Sequence, residues 1–314
     1  MNLQELPKPF FVLAPMDDVT DTVFRQIVAD CAKPDLMFTE FVNVDGLQSP
    51  GRPHLLHKLK LADKEKPVIA QLWGLKPDNF YKTTKELIEM GYDGVDLNMG
   101  CPVKTVIKNG ACAALINNRS LAGEIIDATA EAAGNALPVS VKTRVGFTTV
   151  DMGWIEFLLS KKILNMLSIH ARTAKQMSKV PPNYGLLGQA VELRNSLSPS
   201  TLIVGNGDIM NRQLGLEVIN KYKLDGAMIG RGIFHDPFAF AAASRWPEWG
   251  KNKRLELFRR HIELYLKTYE PKERKFEPLR KFCKLYINGF EGASELRAEF
   301  MNTKTPEEAL DLLS

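Results

Sequence analysis

The sequence predicts a parallel α/β barrel followed by a small helical domain, and three observations carry that prediction. Short apolar runs without alternation recur at nearly regular intervals, as strands buried on both faces do. Eight such runs alternate with helix-like stretches, and eight parallel strands close a barrel. The runs end in polar or reactive side chains, as expected where the carboxyl ends of strands meet around one mouth.

The first run, Phe10–Met16, leads into Asp17, and the second, Leu36–Phe41, carries Glu40. Pro67–Gly74 carries Gln71, and Gly94–Gly100 carries Asn98 with Cys101 just beyond it. Pro138–Gly146 brings Lys142 and Arg144, and Met166–Thr173 brings His170 and Arg172. Thr201–Ile209 brings Asn206 and Asp208, and Gly226–Gly232 brings Arg231. Between them, Asn79–Met90 reads as a helix capped by Asn79 and stopped by Gly91. Ser120–Ala133 has the same form, with Ser120 as cap and Gly134 as stop. A doubly wound sheet is the alternative, disfavoured because no GxGxxG follows the first strand.

After Ala243 the pattern changes. Lys251–Lys267 and Glu277–Phe290 read as amphipathic helices, followed by Ser294–Glu299 and Pro306–Leu313. Trp246, Pro247, Trp249 and Gly250 mark the boundary, so residues 1–244 are expected to form the barrel and 245–314 a helical domain. The chain has 314 residues, 41 basic and 37 acidic, a net charge of +4 too small to imply a nucleic-acid partner by itself. Local charge says more: Lys251 to Lys284 holds twelve Lys or Arg against five acids. Such a stretch either contacts a phosphate backbone or is a solvated face. Four scattered cysteines without a CxxC pair, and no His cluster of zinc spacing, predict no structural metal and reduced thiols in the cytoplasm. Neither a signal peptide nor a membrane span is expected.

The last two strands carry the most readable chemistry. Gly205-Asn206-Gly207-Asp208 and Gly230-Arg231-Gly232 stand where barrels often hold a phosphate on backbone N–H groups, although glycine turns also serve simply to close a barrel. Lys142 lies inside an apolar strand, where lysine is rarely unpartnered. Were the phosphate that of a flavin mononucleotide, Lys142 would suit the N1 and C2-carbonyl edge of the ring; a salt bridge to Glu40 or Asp96 is the other reading. Gln71 suits either the ring edge or loop backbone. Cys101, between Gly100 and Pro102, can act as nucleophile, general base or general acid. Cys31, Cys112 and Cys283 read as structural. His170 is equally suited to structure or site, and His54, His57, His235 and His261 read as loop or helix-surface residues.

Taken together, these stretches resemble the tRNA-dihydrouridine synthase family. The matching residues are Leu13-Ala14-Pro15-Met16, Thr39-Glu40-Phe41, Ala70-Gln71-Leu72-Trp73-Gly74 and Gly94-Val95-Asp96-Leu97-Asn98-Met99-Gly100-Cys101-Pro102-Val103-Lys104. Val141-Lys142-Thr143-Arg144, His170-Ala171-Arg172-Thr173, Gly205-Asn206-Gly207-Asp208-Ile209 and Met228-Ile229-Gly230-Arg231-Gly232 follow in family order. The resemblance implies bound FMN, NADPH as reductant and tRNA as partner, with a helical domain gripping the tRNA; the chain is expected to be a monomer. It implies that Pro15, Met16, Asp17, Gln71, Lys142, His170, Asn206, Gly207, Asp208, Gly230 and Arg231 surround FMN. Cys101 would be the proton donor, with Glu40, Asn98, Lys104, Arg144 and Arg172 toward the substrate. The alternatives are a flavin-barrel reductase of a small molecule and a catalytically silent tRNA-binding protein. Two stretches depart from the family pattern: Lys108–Ala114, where Gly110 is the sole glycine, and Met177–Tyr184, which carries Pro181 and Pro182.

Overall fold

The computed structural model describes residues Met1–Ser314. Eight parallel strands form a closed barrel in sequence order. They are β1 (Phe10–Leu13), β2 (Leu36–Asn43), β3 (Val68–Trp73), β4 (Gly94–Met99), β5 (Val139–Arg144), β6 (Met166–His170), β7 (Leu202–Asn206) and β8 (Gly226–Ile229). β8 pairs back onto β1, from Phe10 with Gly226 to Leu13 with Ile229. Seven of the runs read from sequence overshoot their strands by one to three residues, because glycines and polar residues at their ends turn the chain into the loops of the mouth, whereas the second run, Leu36–Phe41, stops two residues short of the end of β2 at Asn43.

Helices cover the outside, among them Thr22–Ala32, Pro77–Glu89, Arg119–Ala133, Met152–Ser160, Gly185–Leu197 and Arg212–Tyr222. Two caps differ from the sequence expectation. The first helix after β3 starts at Pro77, whose fixed φ suits a first turn, and Asn79 instead donates to Asp45 at 2.8 Å. The helix before β5 is capped by Asn118, whose side chain accepts from the Leu121 N–H; Gly134 ends it at φ +50. The crossover from β2 to β3 has no long helix, only the turn Val44–Leu47 and three short 3-10 turns.

Side-chain parity along the strands decides what lies inside. Phe10, Val12, Leu36, Phe38, Ile69, Met166, Leu202, Val204 and Met228 form a buried cluster in the barrel interior, closed below by Leu3. The alternate residues, such as Phe11, Leu13, Met37 and Ala70, belong to the larger core beneath the helices. Two residues further on, the interior positions become Gln71, Asp96, Ser140, Ser168 and Asn206. The barrel is thus oily at its amino end and polar at its carboxyl end.

Beyond β8 the chain forms the helix Lys251–Thr268, a 3-10 turn Glu277–Phe282 running into the single helical turn Cys283–Tyr286, and the helices Ala293–Asn302 and Pro306–Leu312. The expected continuous helix Glu277–Phe290 is therefore broken. Pro278 lacks an N–H near its start, and Gly289 at φ +77 ends it. This tail shares one hydrophobic core with the barrel. Phe24 of the barrel lies 4.5 Å from Phe282 and 5.7 Å from His261 between ring centroids. His261 is fully buried and bonded to the Tyr286 hydroxyl at 3.0 Å, so it is a core residue and not the surface residue expected. Arg254 is internal as well. It donates to the carbonyls of Trp246, Trp249 and Asn288 and stacks over Trp246, tying the boundary segment to the tail. No helix is long and apolar enough to cross a membrane.

Because Phe24 bridges barrel and tail, Phe24→Ala is expected to cost about 3–5 kcal/mol. Chemical denaturation followed by tryptophan fluorescence measures it, and a loss below about 1 kcal/mol would contradict the shared core.

Candidate active site

The carboxyl ends of β1 and β5 to β8 enclose a cleft lined by Pro15, Met16, Lys142, His170, Asn206, Gly207, Asp208, Gly230 and Arg231, together with Ala14, Ile209 and Met210. The turns after β7 and β8 supply its floor. The N–H groups of Gly207, Asp208, Gly230 and Arg231 have no partner within the chain. Such unspent donors form an anion nest. Gly207 sits at φ +125, where a Cβ would also meet the His170 ring at 3.0 Å, so glycine is needed there on both counts. Asn206 is held by donating to the Met228 carbonyl at 2.9 Å, and the Tyr184 hydroxyl donates to the Gly207 carbonyl at 2.5 Å.

The electrostatics are strongly positive. Burial lowers the pKa of His170 far below its usual value, and Arg144, Lys142, Arg172 and Arg231 push it further. The ring is therefore neutral, and its Nε2 faces Arg172 Nη1 at 3.3 Å, which makes Nε2 the acceptor and leaves the proton on Nδ1. Burial, with Arg144 adding repulsion, lowers Lys142 to about 8, while Asp96 pulls the other way. Asp208 is the cleft's own counter-charge. Arg172 donates to its Oδ1 at 3.1 Å and Arg231 at 2.5 Å, and the hydrogen bond from Arg172 is the main cause of its lowered pKa. Arg231 remains largely exposed, free to turn toward an anion.

Cys101, half-buried in the loop after β4, does not line this cleft but lies within electrostatic reach of its Lys142 and of Arg144. Its loop passes so close to β5 that a Cβ on Gly100 would lie 3.1 Å from the Thr143 backbone. Burial raises the thiol pKa, while Lys142 and Arg144 act in the opposite direction. The thiol is thus protonated at neutral pH yet lies in the field of two cations. A group so placed suits proton donation better than nucleophilic attack.

The remaining expected residues divide. Gln71 is wholly buried and bonded to Asp96 and Asn98, beneath the cleft rather than on its wall. Arg144 donates to the carbonyls of Gly100, Thr173 and Met177, joining the loops after β4 and β6. Arg172 is 2% exposed and also donates to the Val180 carbonyl, so it holds Asp208 and the 177–184 segment instead of standing free for substrate. Glu40, wholly buried, accepts from Arg274 of the tail at 2.9 and 3.2 Å and from the Asp18 N–H at 2.7 Å. It is a bridge between barrel and tail, with no surface toward a substrate. Asp17 lies outside the cleft, paired with Lys58, and Lys104 is exposed on the short helix Lys104–Lys108. The carboxylates of Asp17, Asp18 and Glu40 cluster, but Lys58, Lys281 and Arg274 neutralise them. Sequence reasoning missed Ile209 and Met210 on the cleft wall and Tyr184 behind it. It weighed Asp96 only as a counter-ion.

An eight-stranded parallel barrel with a cationic cleft and two turns of unspent N–H groups at its carboxyl end has the layout in which barrel enzymes often hold a phosphate-bearing ligand. The family model described as dihydrouridine synthase (Dus) matches residues 12–314. A "probable tRNA-dihydrouridine synthase" of Staphylococcus aureus (strain COL) is 47% identical over 312 residues, 98% of this chain and 93% of that one. "Probable tRNA-dihydrouridine synthase 2" of Bacillus subtilis (strain 168) is 45% identical over 313 residues, 99% of this chain and 94% of that one. Among solved structures, morphinone reductase superposes with a TM-score of 0.57 at 11% identity, covering 76% of this chain and 86% of that one. An old yellow enzyme homologue from Zymomonas mobilis gives 0.51 at 14%, covering 72% and 86%. At such identities these two show the shared barrel alone. The chain belongs to the dihydrouridine synthase family, flavin-dependent oxidoreductases acting on tRNA.

With Lys142 lowered to about 8, its amine is charged below that pH and neutral above it. Acylation of Lys142 in the flavin-free chain, followed by peptide mass spectrometry, is expected to reach half its plateau rate near that pH. Exposed lysines require about 10.4, and the same midpoint for Lys142 would contradict the burial assigned to it.

Proposed function

We propose that the chain holds FMN in this cleft, draws electrons from NADPH, and reduces the C5=C6 bond of particular tRNA uridines with Cys101 as proton donor. The observation that carries the reading is the convergence of Lys142, Arg144, Arg172 and Arg231 on one neutral imidazole, beside turns with unspent N–H groups. This donor set fits a flavin mononucleotide. The N–H groups of Gly207, Asp208, Gly230 and Arg231, with the Arg231 guanidinium, would hold its phosphate. Lys142 would set a positive charge at the ring edge, with Met16 and His170 alongside. The chemistry FMN would supply when bound there is hydride transfer, from NADPH as the source to C6 of the uracil.

The protein's own part is then binding, orientation and one proton. Cys101 gives its thiol proton to C5; its S–H bond breaks as a C–H bond forms. The thiolate left behind is stabilised by Lys142 and Arg144 until water reprotonates it. Arg144, whose Nη2 makes no hydrogen bond within the chain, would help to orient the base, whereas the Asn98 amide is committed to Gln71 and to the Gly100 and Cys101 N–H groups. A uridine stacked in folded tRNA must be turned out to reach this depth, at a cost of a few kcal/mol.

The tail residues 245–314 would supply the sequence-independent grip, acting with barrel residues 1–244 in a monomer in the cytoplasm. Of the basic residues in this stretch, Arg254 and Arg274 are internal and contribute nothing to such a surface. Lys251, Lys253, Lys272, Lys275 and Lys284 are exposed. Lys272 and Lys275 also flank the polar cleft between tail and barrel that His54 and Lys58 line. That arrangement favours a phosphate backbone crossing the junction.

Cys101→Ala is expected to keep its flavin and its reduction by NADPH while forming dihydrouridine about 10²–10⁴ times more slowly. Stopped-flow flavin absorbance and mass spectrometry of tRNA separate the two halves, and undiminished turnover would sink the role of Cys101. Lys272→Glu with Lys275→Glu is expected to weaken tRNA binding and flatten its salt dependence by roughly 0.7–0.9 per lost phosphate contact. Titrations at several salt concentrations check this; an unchanged slope would remove these lysines from the interface.

A further inference from the structure

A buried chain of polar side chains runs from inside the barrel to the Cys101 loop, and no step above uses it. Ser140 Oγ donates to Asp96 Oδ1 at 2.6 Å, and Gln71 Nε2 donates to Asp96 Oδ2 at 2.7 Å. Asn98 Nδ2 donates to Gln71 Oε1 at 2.9 Å. The N–H groups of Gly100 and Cys101 donate to Asn98 Oδ1 at 3.1 and 3.0 Å. Asp96, Gln71 and Ser140 are wholly buried, and Asn98 nearly so.

The chain has a direction. A carboxylate only accepts, so Gln71 must turn its amide nitrogen to Asp96 and its carbonyl to Asn98. Asn98 must then turn its nitrogen to Gln71, leaving its carbonyl for the two main-chain N–H groups. Those N–H groups only donate, so the far end demands the same direction. Turning either amide over would set donor against donor at one link and acceptor against acceptor at the next. Buried polar groups tolerate neither.

We propose that Asp96 is a positioning residue for the reaction: the acceptor at the blind end of this chain, it fixes the Gln71 and Asn98 amides and through them the turn that carries Cys101. The kinetic half of this rests on the role given to Cys101 above; the structural half does not. The competing account makes Asp96 a counter-charge for Lys142. The two accounts need different things from Asp96, an acceptor or a charge, and substitution separates them. Asp96→Asn keeps an acceptor and removes the charge. Its nitrogen would face Ser140, whose hydroxyl has the Val95 carbonyl at 3.5 Å as another acceptor. Asp96→Leu keeps the bulk and removes both.

The test is amide hydrogen exchange at Gly100 and Cys101 in the full chain, joined to kcat and KM for tRNA in the flavin-loaded enzyme. In Asp96→Leu, exchange at those two amides is expected to rise about tenfold or more relative to β5. In the same variant kcat is expected to fall about tenfold or more, with KM within about threefold. Asp96→Asn is expected to recover both to within about threefold of the original chain. Unchanged exchange in the leucine variant overturns the proposal. So does an asparagine variant that fails as the leucine one does, since that assigns Asp96 to the charge of Lys142. If Asp96→Leu does not fold, Gln71→Met interrupts the chain one link on with Asp96 in place; faster exchange there supports the proposal, and unaltered exchange overturns it. Should Cys101 prove dispensable, the exchange arm still decides the structural half, so the two failures are distinguishable.

Discussion

Closure of the barrel imposes a parity on every strand, and the site depends on it. In a closed eight-stranded sheet each residue points either to the interior or to the helices, and a shift of one residue would exchange the two sets. The interior set begins apolar, with Phe10, Phe38, Ile69, Met166 and Val204, and within two residues of the chain becomes Gln71, Asp96, Lys142, Ser168 and Asn206. The oily lower layer excludes water and fixes the register. The polar upper layer then has its side chains delivered to one level, in a place where hydrogen bonds and charges are strong because solvent is scarce. The raised pKa of Asp96, the pKa of Lys142 lowered to about 8, and the neutral state of His170 are consequences of that placement, with burial the leading cause in each.

The tail is registered to the mouth by buried charge rather than by a linker. Arg274 reaches across to Glu40 in β2 and to Asp21, and a solvent-exposed pair, Lys281 with Asp18 of the loop after β1, adds a contact at the surface. Aromatic packing of Phe24, Phe234, His261 and Phe282 backs the same junction. A buried ion pair adds little net stability, but breaking one partner leaves a costly unpaired charge, so the pair acts mainly to select one docking geometry.

Much of this was legible in the sequence, and the legible part has a common cause. Strands buried on both faces leave unbroken apolar runs, and a polar residue interrupting such a run near its carboxyl end stands out, as Lys142 and His170 do. Nine of the residues expected around the cofactor line one cleft. What escaped was decided by partners distant in the chain. Glu40 resembles an active-site acid until Arg274, more than two hundred residues on, is seen to cover it. Arg172 looks free until Asp208 and Val180 take its guanidinium. Arg254 and His261 look like helix-surface residues because helical periodicity does not reveal which face a barrel will cover. The direction of the Asp96–Gln71–Asn98 chain depends on the β3–β4–β5 register, which no local pattern encodes.

Reduction of tRNA uridine at the cleft of Lys142, with Cys101 beside it, is what every part of this site is arranged to serve under the proposed function. The most direct measurement incubates unmodified tRNA with the purified chain, FMN and NADPH, and maps by mass spectrometry the uridines that gain two hydrogens. Such a gain is expected at one or a few defined positions, forming about 10²–10⁴ times more slowly when Cys101 is alanine. A protein that binds FMN and oxidises NADPH yet leaves every uridine unchanged would contradict it.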